Sequence, residues 1–467
     1  MKLLVKTIKT ILFALLLLYI GAIIVWNFSQ PATKWKNSDF KIVHEAFPDD
    51  FLWGTASAAH QVEGGNENNN WYKWEHTLNE NNTSTIHNND KSGKAVDHWN
   101  RYPDDIKLMK NLGMNAYRFS VEWSKIEPQQ GNIDQSALQH YHDLVDSLLA
   151  ANITPMITFH HFTQPLWFDA LGGFEKDDNI ELFVKFCRLI YEEFNTKVEY
   201  YCTINEPNVF VTGGYVRGDF PPGKKDPQLA GEVLFNLLKA HALVYRTIKT
   251  LPRGRDAKVG IVKDIFVFEP RNRFNPADWF VARSVDKAFN ESTLHFLKTG
   301  NFNFDFPPAS MSKQYNIARN SYDFVGLNYY SHIIFDFSFD QEKALEPYMP
   351  EDEIKTDMEY TMYPEGLHTA IKRIATLGAP IIITENGVAD HDDDIRGEYI
   401  HKHLSAVSKA MEDGYDVDGY FYWSLTDNFE WAEGYDMKFG LYALDTLTQE
   451  RTLRKGAETL KTIIQGN

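Results

Sequence analysis

A single (β/α)8 barrel with long βα loops, preceded by one transmembrane helix, is the architecture this sequence predicts, and three observations carry it. Two short apolar or β-forming runs each end in a glutamate: Ile381-Ile382-Ile383-Thr384-Glu385-Asn386-Gly387 and Tyr200-Tyr201-Cys202-Thr203-Ile204-Asn205-Glu206-Pro207. Runs of this kind suit strands of a parallel sheet buried on both faces, and Pro207 stops the second by withholding a backbone donor. Strand-like and amphipathic stretches then alternate from residue 47 onward with no low-complexity break, the pattern of a parallel sheet wrapped by helices. Finally, the chain has 467 residues, against about 250 for a minimal barrel, so the excess belongs in loops.

Taken in order, the strands are expected at 51–54, 114–121 and 153–159, then in the run ending at Glu206. The remaining four fall at 258–262, at 322–327, in the run into Glu385, and at 419–423. Between them, 104–112, 136–149, 180–193 and 367–377 read as helices. In 136–149, for instance, Leu138, Tyr141, Leu144, Leu148 and Leu149 recur at helical spacing. The least regular loops are expected at 66–91, 301–312 and 335–360.

The amino end is a separate unit. Lys2, Lys6 and Lys9 precede an uncharged run over residues 10–28 that approaches the roughly 20 residues needed to cross a bilayer. The leading lysines outweigh Lys34 and Lys36, so residues 1–9 are expected in the cytoplasm and the rest of the chain outside. No small-x-small cleavage site follows Val25, which favours an uncleaved signal anchor; the alternative is a secreted protein released by cleavage. Residues 29–46 read as a polar juxtamembrane tether and 47–467 as the barrel.

Composition excludes several classes. A formal charge of −17 argues against a nucleic-acid partner, which needs a basic footprint. Two cysteines, Cys187 and Cys202, make neither a disulfide framework nor a zinc pattern, and their apolar surroundings suit buried free thiols. No phosphate-binding loop or dinucleotide fingerprint occurs, so no cofactor is expected. His160 and His161 are adjacent on one strand and face opposite ways, so no metal site is expected there. Oligomeric state is left open.

In a β/α barrel the carboxyl ends of the strands form the active face. Glu206 and Glu385 both belong there. So do Gln61 after the first strand, Arg118 on the second, His161 after the third, Asn205 beside Glu206, and Asn328 with Tyr330 after the sixth. Trp423, Glu430 and Trp431 follow the eighth. Amides, imidazole, carboxylates and indole rings on one face suit a neutral polyhydroxylated ligand, and two carboxylates can supply the acid and nucleophile of glycoside hydrolysis.

Five ordered motifs resemble glycoside hydrolase family 1, the β-glucosidase and β-galactosidase family. They are Phe51-Leu52-Trp53-Gly54-Thr55-Ala56 through Gln61-Val62-Glu63-Gly64, Thr203-Ile204-Asn205-Glu206-Pro207, Gly326-Leu327-Asn328-Tyr329-Tyr330, Thr384-Glu385-Asn386-Gly387, and residues 423–431. The resemblance implies Glu206 as general acid/base and Glu385 as nucleophile of a retaining β-glycosidase acting on terminal β-D-glucosyl residues, galactosyl and fucosyl residues remaining open. It further implies sugar contacts from Gln61, His161, Asn205, Glu430 and Trp431, a stacking platform at Trp423, and a nucleophile held by Arg118, Asn328 and Tyr330, which also borders the substrate. A retaining pair stands ~5–5.5 Å apart. Arg118 and Tyr330 are expected to keep the pKa of Glu385 low, and the charge on Glu385 to raise that of Glu206.

The chain departs from the family pattern in two places. Phe162-Thr163-Gln164-Pro165 replaces a common tryptophan followed by Asp-Leu-Pro, removing an indole donor beside the sugar, and Glu122 stands where a small residue is common. Glu430 argues against 6-phosphorylated substrates, because its charge would repel a phosphate. Alternative readings are a catalytically idle, membrane-displayed binding relative, or a transglycosylase using the same two glutamates.

Overall fold

A computed structural model describes residues 2–79, 81–338, 346–358 and 360–466. Residues 339–345 and 359, within the loop expected at 335–360, lie outside the described residues.

Eight parallel strands close into one barrel: β1 (Leu52–Ser57), β2 (Ala116–Ser120), β3 (Thr154–His160), β4 (Tyr200–Asn205), β5 (Lys258–Asp264), β6 (Phe324–Asn328), β7 (Ile381–Asn386) and β8 (Val417–Tyr422). Each pairs with its neighbours in chain order, and β8 closes on β1. All eight strands fall where the sequence places them. Their side chains are buried almost throughout, because helices cover the outer face and the inner face packs on itself.

The pairing is regular except beside the two glutamates and at the start of β7. β4 slips against β5 between Cys202 and Asn205, and β7 slips against β6 between Ile383 and Glu385. β7 also slips against β8, twice. Such irregularities re-aim the side chains that follow them. The two strands that end in glutamate are thus also the two that leave ideal register.

Helices α1 (Lys2–Ser29), α2 (His98–Asn111), α3 (Gln135–Ala150), α4 (Ile180–Phe194), α5 (Pro227–Thr250), α6 (Pro276–Asp286), α7 (Ser292–Thr299), α8 (Pro364–Ile374), α9 (Arg396–Glu412) and α10 (Ala457–Ile464) account for most of the rest. The carboxylate of Asp134 caps α3 by accepting from Ser136 and Ala137, and Asp226 caps α5 in the same way, with Pro227 at the first helical position. The sequence reading named none of α5, α6, α7 and α9. It also expected 301–312 to be irregular, whereas strands Asn301–Phe306 and Ala309–Gln314 form an antiparallel hairpin. Phe302, Phe304 and Phe306 alternate with polar residues there, the period of a half-covered strand. A second small sheet, strands Val267–Pro270, His332–Phe335 and Pro347–Tyr348, stands outside the barrel beside α6.

Both cysteines are free and buried. Helix α1 is long and apolar enough to cross a membrane, and its apolar side chains are mostly exposed. The segment after it is docked against the barrel. The Trp35 backbone N–H donates to Glu365 at 2.8 Å, the Tyr363 hydroxyl to the Thr33 carbonyl at 2.8 Å, and the Val43 N–H to the Ser408 hydroxyl at 2.9 Å. Phe40 is buried in that contact.

Candidate active site

Ten of the eleven site residues singled out in the sequence sit at or just beyond the carboxyl ends of barrel strands; the other, Arg118, lies within β2. The strand ends open into a cavity of about 600 Å³ bordered by His161, Phe162, Glu206, Tyr330, Glu385, Trp423, Glu430 and Trp431.

Glu385 is held through both carboxylate oxygens. Arg118, wholly buried, donates from Nη1 to Glu385 Oε1 at 2.7 Å, and the Tyr330 hydroxyl donates to Oε2 at 2.8 Å. The same guanidinium donates to Asn205 Oδ1 at 2.6 Å and to the Thr158 hydroxyl at 3.0 Å, so one cation orients two strand ends. Gly387, just beyond, packs on the backbone of Trp423: a Cβ there would stand 1.8 Å from the Trp423 carbonyl oxygen.

Glu206 is held differently. Its backbone is left-handed, with φ of 43°, where a non-glycine residue is strained by about 1–3 kcal/mol. Its side chain accepts from the neutral amide of Asn328 at 2.7 Å. Asn328, expected to serve Glu385, is therefore shared. It bonds Glu206 and Asn205 directly, accepts from Thr384 at 2.7 Å, and still helps to favour the charged form of Glu385.

The electrostatics are asymmetric. Burial pushes Glu206 well above the ordinary carboxyl range, and the charges of Glu385 and Asp264 add to the push. The expectation that Glu385 is held low is corrected by the structure. Burial raises it too, opposed by Arg118, Tyr330 and Asn328. Only Glu385 has a direct cationic partner, so of the two it gives up its proton first. Burial likewise pushes Glu430 up to about 8, against hydrogen bonds from Trp423 and Gln61 and with Glu385 adding to the rise. The expected charge-assisted sugar contact thus starts from a carboxyl that is largely protonated at neutral pH.

The remaining polar side chains form one array. Gln61 donates to Glu430 Oε2 and to Asn428 Oδ1, both at 3.1 Å. Asn205 Nδ2 lies 3.0 Å from His161 Nε2, which leaves the ring proton on Nδ1. Burial, with the Arg118 charge, holds His161 well below its usual range, hence neutral. Gln61 Oε1 and His161 Nδ1 are buried without a partner. Buried polar atoms are normally paired, so two orphans in this array are places for ligand hydroxyls. Trp423 and Trp431 each lie 5.9 Å, centroid to centroid, from His161, and Phe162 lies 5.1 Å from Trp431.

His160 turns away from His161, into a shell of Phe174, Phe183 and Phe210, and burial lowers it to about 3. Among the described residues no group of three histidine, cysteine, aspartate or glutamate side chains is placed to hold a metal ion.

The family model for glycosyl hydrolase family 1 matches residues 43–467. The chain belongs to glycosyl hydrolase family 1. Beta-glucosidase A of Thermotoga maritima is 32% identical over 451 residues, covering 90% of this chain and 98% of the relative. The 6-phospho-beta-galactosidase of Staphylococcus haemolyticus is 31% identical over 471 residues, covering 90% and 98%. The solved beta-glycosidase from Pyrococcus horikoshii superposes with a TM-score of 0.80 at 39% identity, covering 90% of this chain and 95% of that one. This family 1 chain is an O-glycosyl hydrolase.

Sequence reasoning overlooked one pair in this family 1 site. Lys263 and Asp264, both buried, form an ion pair at 3.1 Å at the end of β5, and Asp264 helps to raise Glu206. An aspartate closing a barrel strand at its carboxyl edge was the available signal.

Proposed function

We propose that the protein is a retaining β-glycosidase that hydrolyses terminal β-D-glucosides by double displacement. One observation carries the reading: Glu206 and Glu385 border one cavity, and of these two only Glu385 is paired with a buried cation. Glu385 attacks the anomeric carbon as the glycosidic C–O bond breaks, and Glu206 passes its proton to the leaving oxygen. Esterified Glu385 no longer carries charge, which removes one cause of the raised pKa of Glu206. Glu206 then takes a proton from water as that water attacks the anomeric carbon and Glu385 departs, leaving the anomeric configuration retained.

Arg118 and Tyr330 position Glu385 and favour its anionic form. Asn205, fixed by Arg118, presents its amide to the 2-hydroxyl, where bonding strengthens in the transition state. Gln61 and Glu430 read the 4- and 6-hydroxyls, His161 Nδ1 donates to a neighbouring hydroxyl, and Trp423 with Trp431 covers the C–H face of the sugar. Glu430, joined to Gln61, is a carboxyl group in place of a phosphate ligand, so unphosphorylated sugars are favoured. Helix α1 is an uncleaved anchor with residues 1–9 in the cytoplasm and the catalytic domain outside.

The test is a panel of aryl β-D-glucosides, galactosides and fucosides offered to the full-length protein in detergent, with the anomer released followed by NMR. First-formed β-anomer supports retention; first-formed α-anomer rejects the mechanism. Carbonate washing of membranes that leaves the intact chain in the pellet supports the anchor, and a mature amino terminus beyond residue 25 rejects it.

A further inference from the structure

The outer half of the cavity has a different character from its floor. Besides the residues around the two glutamates, the cavity lining includes Phe266, Phe268, Phe289, Phe306, Ile333 and Phe335, with Arg217 and Asp219 also present. Much of this wall belongs to a small apolar cluster distinct from the barrel core, made by strands Val267–Pro270 and His332–Phe335 and by α6 with the turn after it. The C–H face of one sugar is already covered by Trp423 and Trp431 in the proposed reading, so this further apolar wall is left for another part of the substrate.

The same substructure is where α1 is attached. Gln30, at the end of α1, donates to the carbonyl oxygen of Phe268 at 2.7 Å, so the backbone of a wall residue is bonded directly to the foot of the anchor. Arg273 donates to Asn27 at 2.9 Å and also reaches the Gln30 carbonyl, while Trp26 lies 6.1 Å from Trp279 of α6. The Tyr19 hydroxyl donates to the Phe274 carbonyl at 2.6 Å. Tyr19 lies about 12 Å further down the helix than Asn27, inside the uncharged stretch. Phe274 and Phe280 beside it are 71% and 61% exposed. Two large exposed rings next to a membrane-spanning stretch suit insertion into the bilayer surface.

We propose that the physiological substrate is a membrane glycolipid, a β-glycoside whose aglycone carries a long hydrocarbon chain, taken from the same bilayer that holds α1. The inference rests on the β-glycosidase reading and on α1 as an anchor. The sugar occupies the polar floor between Glu206 and Glu385, and the first part of the chain lies along the phenyl wall. The bonds broken and formed are those of the hydrolysis already described; only the leaving alcohol is specified.

Two measurements on the full-length protein in phospholipid vesicles test this. The first is kcat/KM for methyl, butyl, octyl and dodecyl β-D-glucosides, each below its micellar concentration. Each buried methylene is worth up to about fourfold, so a rise of at least about a hundredfold from methyl to dodecyl is expected. In Phe268→Ser and Phe289→Ser the ratio of dodecyl to methyl kcat/KM should fall about tenfold or more. Equal kcat/KM along the series in the unaltered protein overturns the proposal while the β-glycosidase reading stands. No hydrolysis of any glycoside overturns both.

The second measurement compares glucosyl lipid in the enzyme's own vesicles with the same lipid in separate vesicles. Faster turnover in the shared bilayer is expected, and Phe274→Ser with Phe280→Ser should reduce it while leaving hydrolysis of butyl glucoside in place. Equal rates from shared and separate vesicles overturn delivery from the bilayer.

Discussion

The ends of β4 and β7 are written in the same way and work differently. Each is an apolar run that slips its register, ends in a glutamate and exits sharply. At β7 the carboxylate meets Arg118 and a tyrosine hydroxyl. At β4 it meets a neutral amide, with the Lys263–Asp264 pair behind it. The strand places the acid; the neighbouring strands decide which protonation state it holds. On the proposed mechanism, one guanidinium divides the two carboxylates between nucleophile and acid.

Removing Glu385 gives the largest expected effect. Glu385→Ala should lower kcat/KM on aryl glucosides by about 10⁴-fold or more, since nothing replaces the nucleophile. Azide or formate should restore part of the rate with inverted configuration. Hydrolysis by Glu385→Ala at the normal rate would end the assignment.

Glu206→Gln should slow substrates with poor leaving groups by about 10²–10⁴-fold and spare activated aryl glucosides, because only a poor leaving group needs a proton. Equal losses on both classes would place the acid elsewhere. The two partners can be compared in the same manner through stability. Arg118→Met strands a buried carboxylate and should cost about 3–5 kcal/mol in denaturant unfolding, whereas Asn328→Ala, which removes a neutral partner, should cost about 1–3 kcal/mol. Equal costs would mean that the guanidinium carries no special share.

A further effect concerns Glu430, whose carboxyl is raised from 4.5 to about 8 by burial. A carboxyl with a raised folded-state pKa contributes stability that is complete below its unfolded value and is lost as pH climbs through the folded one. The unaltered protein should therefore lose ground to Glu430→Gln as pH rises from about 4.5 to 8, by a few degrees in Tm. A Tm difference that stays constant across that window would show Glu430 ionised throughout.

The glutamates, the eight strands and their order were legible because a buried strand leaves an unbroken apolar run and a barrel places function at the run's end. Helix α5 was overlooked although Asp226-Pro227 announces its start, since its apolar residues spread round the helix and blur the period. The Phe-alternating hairpin at 301–314 was hidden by its polar residues. Other properties depend on tertiary distance and leave no mark on local sequence. Asn328 lying against Glu206, the protonation of Glu430, and the docking of residues 30–46 on the barrel are of this kind.

Gly387 carries one more consequence. Because its α-carbon rests on the carbonyl of Trp423, the strand bearing Glu385 and the Trp423 backbone have no slack between them. A substitution that shifted Trp423 to admit another sugar would drag the reacting carboxylate with it. Variation in substrate choice is therefore channelled away from that side, toward the side chains of the small sheet and α6 on the opposite wall, where a residue can change without disturbing the chemistry. The enzyme has one half that drift can explore and one half that it cannot.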